Sequence, residues 1–199
     1  MLKVYLLRHG ETTFNADGNR YCGRTDAPLT KRGVRQAEEV GELLINITFD
    51  GIYCSPLNRA YETARIASGG RKVEKVNRLI EADFGSWEGK TREEFIAEDP
   101  KLWKQWSENP GATKAGGTGE TALEVAERVE DFFLEIKERH PSGNILVVAH
   151  NGVNRFFLAR QLGMDLKYYR RIVQENSSLT LIGLGGSEGF SLIKLNSKG

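Results

Sequence analysis

The chain has 199 residues, 28 Lys and Arg against 27 Asp and Glu, and only three histidines. With 39% hydrophobic and 28% charged residues it has the composition of an ordinary globular protein, which excludes disordered and fibrous classes. No apolar run approaches the ~20 residues a bilayer requires, and a net charge of +1 argues against a dedicated nucleic-acid or membrane-surface protein.

The chain opens on Val4-Tyr5-Leu6-Leu7, a short apolar run that predicts a buried first strand rather than a signal peptide. Residues 8–29, rich in Gly, Asn, Asp and Thr, read as a long loop, and loops of that length usually carry function. From Leu29 to about Ile45 the period is helical, with Val34, Ala37, Val40, Leu43 and Leu44 on one stripe. Ile52-Tyr53-Cys54 predicts a second strand, followed by a helix with Ser55 as N-cap and Pro56 as first residue. A strand over 72–76 follows. Thr91 with Glu94 and Thr121 with Glu124 are capping boxes, the first opening one or two short helices to about Ser107, the second a helix to about Arg139. Its inward positions are Leu123, Ala126, Val129, Phe133 and Ile136. Ile145–Ala149 is the clearest buried strand, with a helix over 152–162 behind it and a hairpin over 178–183 and 190–195 at the end.

Strands alternating with helices predict an α/β fold: a three-layer α/β/α sandwich around a mostly parallel sheet, the hairpin adding an antiparallel edge. No repeat or linker divides it, so one domain over 1–199 is expected. Two cysteines, Cys22 and Cys54, cannot build a disulfide framework or a zinc ribbon and point to a reduced cytoplasm, where the sequons at Asn46 and Asn176 are chance matches. Charge is locally uneven: residues 1–35 carry a net +4 and residues 81–108 a net −4. Solvated faces would explain this, and so would a small anion site near the N-terminus.

Three glycine-rich stretches lack the context of a nucleotide loop. Gly85–Thr91 has three residues between its glycines where a phosphate loop has four, and no buried strand leads into it. Gly183–Gly189 has no helix after it and reads as a hairpin turn, and Gly116-Gly117-Thr118-Gly119 as loop. The histidines, at 9, 140 and 150, show neither HxH nor HExxH spacing, so no metal is expected, and there is no GxSxG nucleophile elbow. Trp87, Trp103 and Trp106 read as packing residues, and His140, ending a helix, suits the helix dipole.

The chemistry converges elsewhere. Arg8-His9-Gly10-Glu11-Thr12 follows the first strand, Ser55–Arg59 the second, and His150-Asn151-Gly152 the Ile145–Ala149 strand. Ligands of parallel sheets bind beyond the carboxyl ends of strands, so two histidines and two arginines from three junctions face one region. Paired arginines clamp phosphate, a helix N-terminus at Asn151-Gly152 offers free N–H groups, and a neutral imidazole is a competent nucleophile toward phosphorus. A second imidazole, if protonated, could stabilise charge on the equatorial oxygens.

With Asn15, Leu29-Thr30, Gly33, Gln36-Ala37, Ser55-Pro56-Leu57, Arg59-Ala60, Glu62-Thr63-Ala64, Glu81, Phe84-Gly85 and Trp87-Glu88-Gly89 in order, the chain resembles the histidine phosphatase superfamily over nearly its whole length. Its branch includes cofactor-dependent phosphoglycerate mutases, fructose-bisphosphatases and alpha-ribazole phosphatase. The resemblance implies a phosphoglycerate mutase-like fold with a cap region at about 81–120. It implies His9 as the phosphorylated nucleophile, Arg8, Arg59 and Asn15 on the phosphoryl oxygens, and His150 as transition-state stabiliser. Glu81 would be the general acid and then the base, with Asn151 at the phosphate and Cys22-Gly23 along the substrate. Cys22 stands where a hydroxyl or amide is expected.

These features predict a metal- and cofactor-independent phosphomonoesterase acting on a small phosphorylated metabolite, alpha-ribazole 5'-phosphate or a broad range. No nucleic-acid or membrane partner is expected, and a homodimer is left open. Against a mutase stand the form of Phe84–Gly89 and the four residues after Leu195, too few to close over a phosphoenzyme. A non-catalytic phosphate-binding module would need a broken core, and every core residue is present.

Overall fold

The computed structural model describes residues 1–187 and 189–197; Glu188, in the predicted hairpin turn, lies outside them. The strands are β1 (Leu2–Arg8), β2 (Gly51–Cys54), β3 (Glu74–Lys75), β4 (Gly143–Ala149), β5 (Leu179–Leu184) and β6 (Phe190–Ser197). Among the described residues they form one sheet in the order β3-β2-β4-β1-β5-β6. β3, β2, β4 and β1 run parallel, β5 pairs antiparallel with β1, and β6 pairs antiparallel with β5.

Side chains alternate across a strand, so a continuous apolar run serves two faces. Ile145, Val147 and Ala149 of β4 join the core on one side, with Leu2, Val4 and Leu6 of β1. Leu146 and Val148 join the other, with Leu7, Ile52 and Cys54. The helices are α1 (Thr13–Ala16), α2 (Lys31–Leu44), α3 (Asn58–Ala67), α4 (Arg92–Glu98), α5 (Pro100–Glu108), α6 (Ala122–Arg139) and α7 (Asn151–Gln161). α2 and α3 cover the Leu146 face, and α6 and α7 the other, giving the expected α/β/α sandwich. No helix among the described residues is long and apolar enough to cross a membrane.

Both capping boxes form, on Thr91 and on Thr121. Several local expectations need correction. The predicted loop over 8–29 contains the one-turn α1, itself closed by a capping box between Thr12 and Asn15. α3 begins two residues late, at Asn58, because the Ser55 hydroxyl accepts from the Leu57 N–H and holds a turn instead of capping a helix. Leu43 is exposed and Gly33 is buried on the α2 stripe. The third strand shrinks to two exposed residues at the sheet edge. Trp87 and Trp106 are buried and Trp103 packs against Trp87, as expected, while His140 caps α6 and meets the Tyr53 hydroxyl at 2.8 Å.

Candidate active site

β1 and β4 are central neighbours, and their register pairs Arg8 with Ala149. His9 and His150 therefore leave two adjacent parallel strands at the same level, tied by the His9 N–H donating to the Ala149 carbonyl at 3.1 Å. Their rings lie 5.1 Å apart between centroids. The Arg8–Gly10 turn is pressed onto α2: a Cβ on Gly10 would strike the Gly33 carbonyl, and one on Gly33 the Glu11 carbonyl. Only glycine at both positions permits this approach. The Thr63 hydroxyl accepts from the Gly10 N–H at 3.0 Å.

Both histidines are buried, and their hydrogen bonds assign their protons. His9 Nδ1 lies 2.7 Å from the Gly10 carbonyl, which can only accept, so Nδ1 carries the proton and Nε2 the lone pair. Burial, then Arg59 and Arg8, push its pKa well below the usual histidine value. His150 Nδ1 accepts from Arg59 Nε at 3.3 Å, which leaves the ring proton on Nε2. That Nε2 is buried and unpartnered. Burial, Arg59 and His9 push His150 down as well, so the second imidazole is a neutral N–H donor rather than a protonated one.

Arg59 has no exposed side-chain surface. Its guanidinium donates to the Gly23 carbonyl at 2.6 Å and the Thr25 carbonyl at 2.8 Å, with Asp26 at 3.7 Å. A buried cation with one loose carboxylate partner favours an anion beside it. Arg8 donates to the Gln174 carbonyl at 2.7 Å and keeps a buried, unpartnered Nε. Burial and the neighbouring Arg155 lower its pKa to about 10.

Glu81 changes one expectation. Its carboxylate accepts from the N–H groups of Gly152 and Val153, each at 3.2 Å, and from that of Ala82 at 2.9 Å. Those α7 amides are not free for phosphate; they hold the acid next to His150. A Cβ on Gly152 would sit 2.7 Å from Glu81 Oε1, which accounts for the glycine.

A cavity of about 480 Å³ opens over this set, with Arg8, His9, Asn15, Cys22, Glu81 and Asn151 in its wall. Arg59 and His150, bonded to each other, adjoin His9 without lining that wall themselves. Gly23 turns its carbonyl to Arg59 and packs on Glu88. Asn15 Oδ1 caps α1, and its amide nitrogen donates to Asn19. The Cys22 thiol lies 3.6 Å from the Thr12 hydroxyl, and burial pushes its pKa up.

Residues 4–198 match the histidine phosphatase superfamily, branch 1. The chain belongs to that family. Phosphoserine phosphatase 1 of Hydrogenobacter thermophilus is 34% identical over 198 residues, 98% of this chain and 92% of that one. The adenosylcobalamin/alpha-ribazole phosphatase of Escherichia coli is 37% identical over 166 residues, 82% of this chain and 80% of that one. A phosphoserine phosphatase variant from Entamoeba histolytica, solved with phosphoserine, superposes with a TM-score of 0.90 at 28% identity, covering 99% and 98% of the two chains. This histidine phosphatase is accordingly an enzyme that hydrolyses phosphomonoesters.

The cavity residues of this histidine phosphatase that sequence reasoning missed include Arg92, Arg155 and Arg170. Arg155 was accessible in principle, since it lies four residues after Asn151 on one helix face. Arg92 and Arg170 carry no local signal; only the fold brings α4 and the 166–171 turn to the same wall.

Proposed function

We propose that this phosphatase works through a phosphohistidine on His9, with the family's small-metabolite esters as substrates and no metal or cofactor. The neutral His9, its Nδ1 proton tied to Gly10 and its Nε2 lone pair free, is the observation that carries this reading. Nε2 attacks phosphorus and the ester P–O bond breaks. Glu81 passes a proton to the leaving oxygen, then takes one from the water that attacks the phosphohistidine. The new P–O bond forms as N–P breaks, and phosphate leaves. Splitting the transfer in this way replaces one difficult step by two easier ones.

Arg8, Arg59, Asn15 and Asn151 are the proposed phosphoryl ligands. The unpartnered Arg8 Nε and the His150 Nε2 proton are donors with no protein acceptor, as a site for an equatorial phosphoryl oxygen requires. We assign Gly23 to holding Arg59, and Cys22 to the wall beside the leaving group. Residues 81–120 would act as a cap on a single domain, since Glu81, Phe84, Arg92 and Glu93 border the cavity from that side. Rapid quench with ³²P-labelled ester tests the mechanism: the label should appear on protein in an acid-labile, base-stable form and vanish in His9→Ala. Turnover retained by His9→Ala would overturn it. Full activity in EDTA is expected, and loss restored by a divalent cation would overturn metal independence.

A further inference from the structure

Arg155 and Arg170 have no carboxylate partner among the described residues, although both line the catalytic cavity. Arg155 is half-buried, and its Nε is shut from solvent with no acceptor. Burial, together with the neighbouring Arg170, lowers its pKa despite the opposing influence of Tyr169, Tyr21 and Glu81. Arg170 is held in place: its guanidinium lies 4.5 Å over the Trp103 ring and 4.7 Å over Tyr169, and donates to the Tyr21 hydroxyl at 2.8 Å. A stacked, oriented guanidinium loses little freedom on meeting an anion. By contrast Arg20, in the same wall, is already neutralised by Asp17 and Glu94 at 2.7 Å. The wall's acids are Glu81, tied to backbone amides, and the exposed Glu93.

The nearby aromatic rings are not free platforms for a base. Tyr21 packs edge-on against Phe84 and Phe95, and Tyr169 lies between Phe156 and Arg170.

We propose that Arg155 and Arg170 form a second anion subsite, so that the preferred substrates are small phosphate esters bearing a further carboxylate or phosphoryl group. The proposal rests on the phosphatase reading of the site and names its substrate class. The two arginines are binding residues and do not touch the transferred phosphoryl group.

The test compares two nearly isosteric esters, 3-phosphoglycerate and glycerol 3-phosphate, which differ in a carboxylate for a hydroxymethyl group. Glycerol 1,3-bisphosphate supplies the phosphoryl arm. Wild-type kcat/KM should favour at least one doubly anionic ester over glycerol 3-phosphate by about tenfold or more, as for one well-made charged contact. Arg155→Gln and Arg170→Met should each pull that ratio toward one, mainly through KM. A wild-type ratio near one for both arms would overturn the proposal, whatever the variants do. So would variants that slow all esters by one common factor. Should no ester turn over, the phosphohistidine reading fails separately. The subsite is then read by calorimetric binding of the same three compounds to wild-type protein, where equal affinities would overturn it.

Discussion

Arg59 Nε donates to His150 Nδ1, and this one bond between a helix and a strand end decides what His150 can do. Together with burial, it keeps the imidazole neutral, and it turns the only ring proton to Nε2, away from Arg59. The guanidinium is itself held by the Gly23 and Thr25 carbonyls, so two distant segments converge on one planar group. A flexible ammonium cannot reproduce that fork.

Arg59→Lys should therefore fold but lose about 10²–10³ in kcat, the size of one oriented donor in a transition state. Steady-state kinetics on an aryl phosphate check this. An activity within a few-fold of wild type would show that charge alone suffices at this position.

Stability should fall as pH drops below the normal histidine range. His9 and His150 have depressed pKa values when folded and ordinary ones when unfolded, so below about 6.5 the unfolded chain binds protons that the folded one refuses. Each contributes a slope of up to about 1.4 kcal/mol per pH unit, absent above the unfolded value. Urea midpoints at pH 7.5 and 5.5 should differ in that direction, and His9→Gln should flatten the dependence. A midpoint independent of pH between these values would contradict the buried, neutral assignment.

Glu81→Gln should cost about 10²–10⁴ in kcat on alkyl phosphates, as expected for a lost proton carrier. The loss in the first transfer should shrink for p-nitrophenyl phosphate, whose leaving group needs no proton. Equal losses in that step for both classes would remove Glu81 from the general-acid role.

Gly152→Ala places a methyl group against Glu81 Oε1, so the carboxylate must move. We expect a reduced kcat with a smaller change in KM. Unaltered kinetics would mean that the acid's position is not critical.

Gly33→Ala probes the fold instead. Its Cβ meets the Glu11 carbonyl, a backbone atom that cannot swing aside, and the expected loss is about 1–3 kcal/mol in chemical unfolding. A neutral result would show that the loop over α2 yields readily.

Periodicity carried most of the architecture. The β4 run, both capping boxes on α4 and α6 and the α2 stripe are local patterns that the structure repeats with shifts of a few residues. The departures are also local in cause. Ser55 made a turn in place of a cap, and α1 was too short for a period to register.

By itself, the sequence determined that Arg8, His9 and His150 stand at the ends of buried strands and that Arg59 follows another within one turn of helix, because a strand's end and the segment after it are written contiguously. Only the tertiary structure decided the protonation and pairing of those groups. The His150 tautomer depends on Arg59, 91 residues away, and the α7 amides are taken by Glu81, 71 residues before Gly152. The arginine wall of the cavity is likewise assembled from α4, α7 and the 166–171 turn. Burial and hydrogen-bond partners are properties of neighbours in space, and no local pattern encodes which distant carbonyl or carboxylate will arrive.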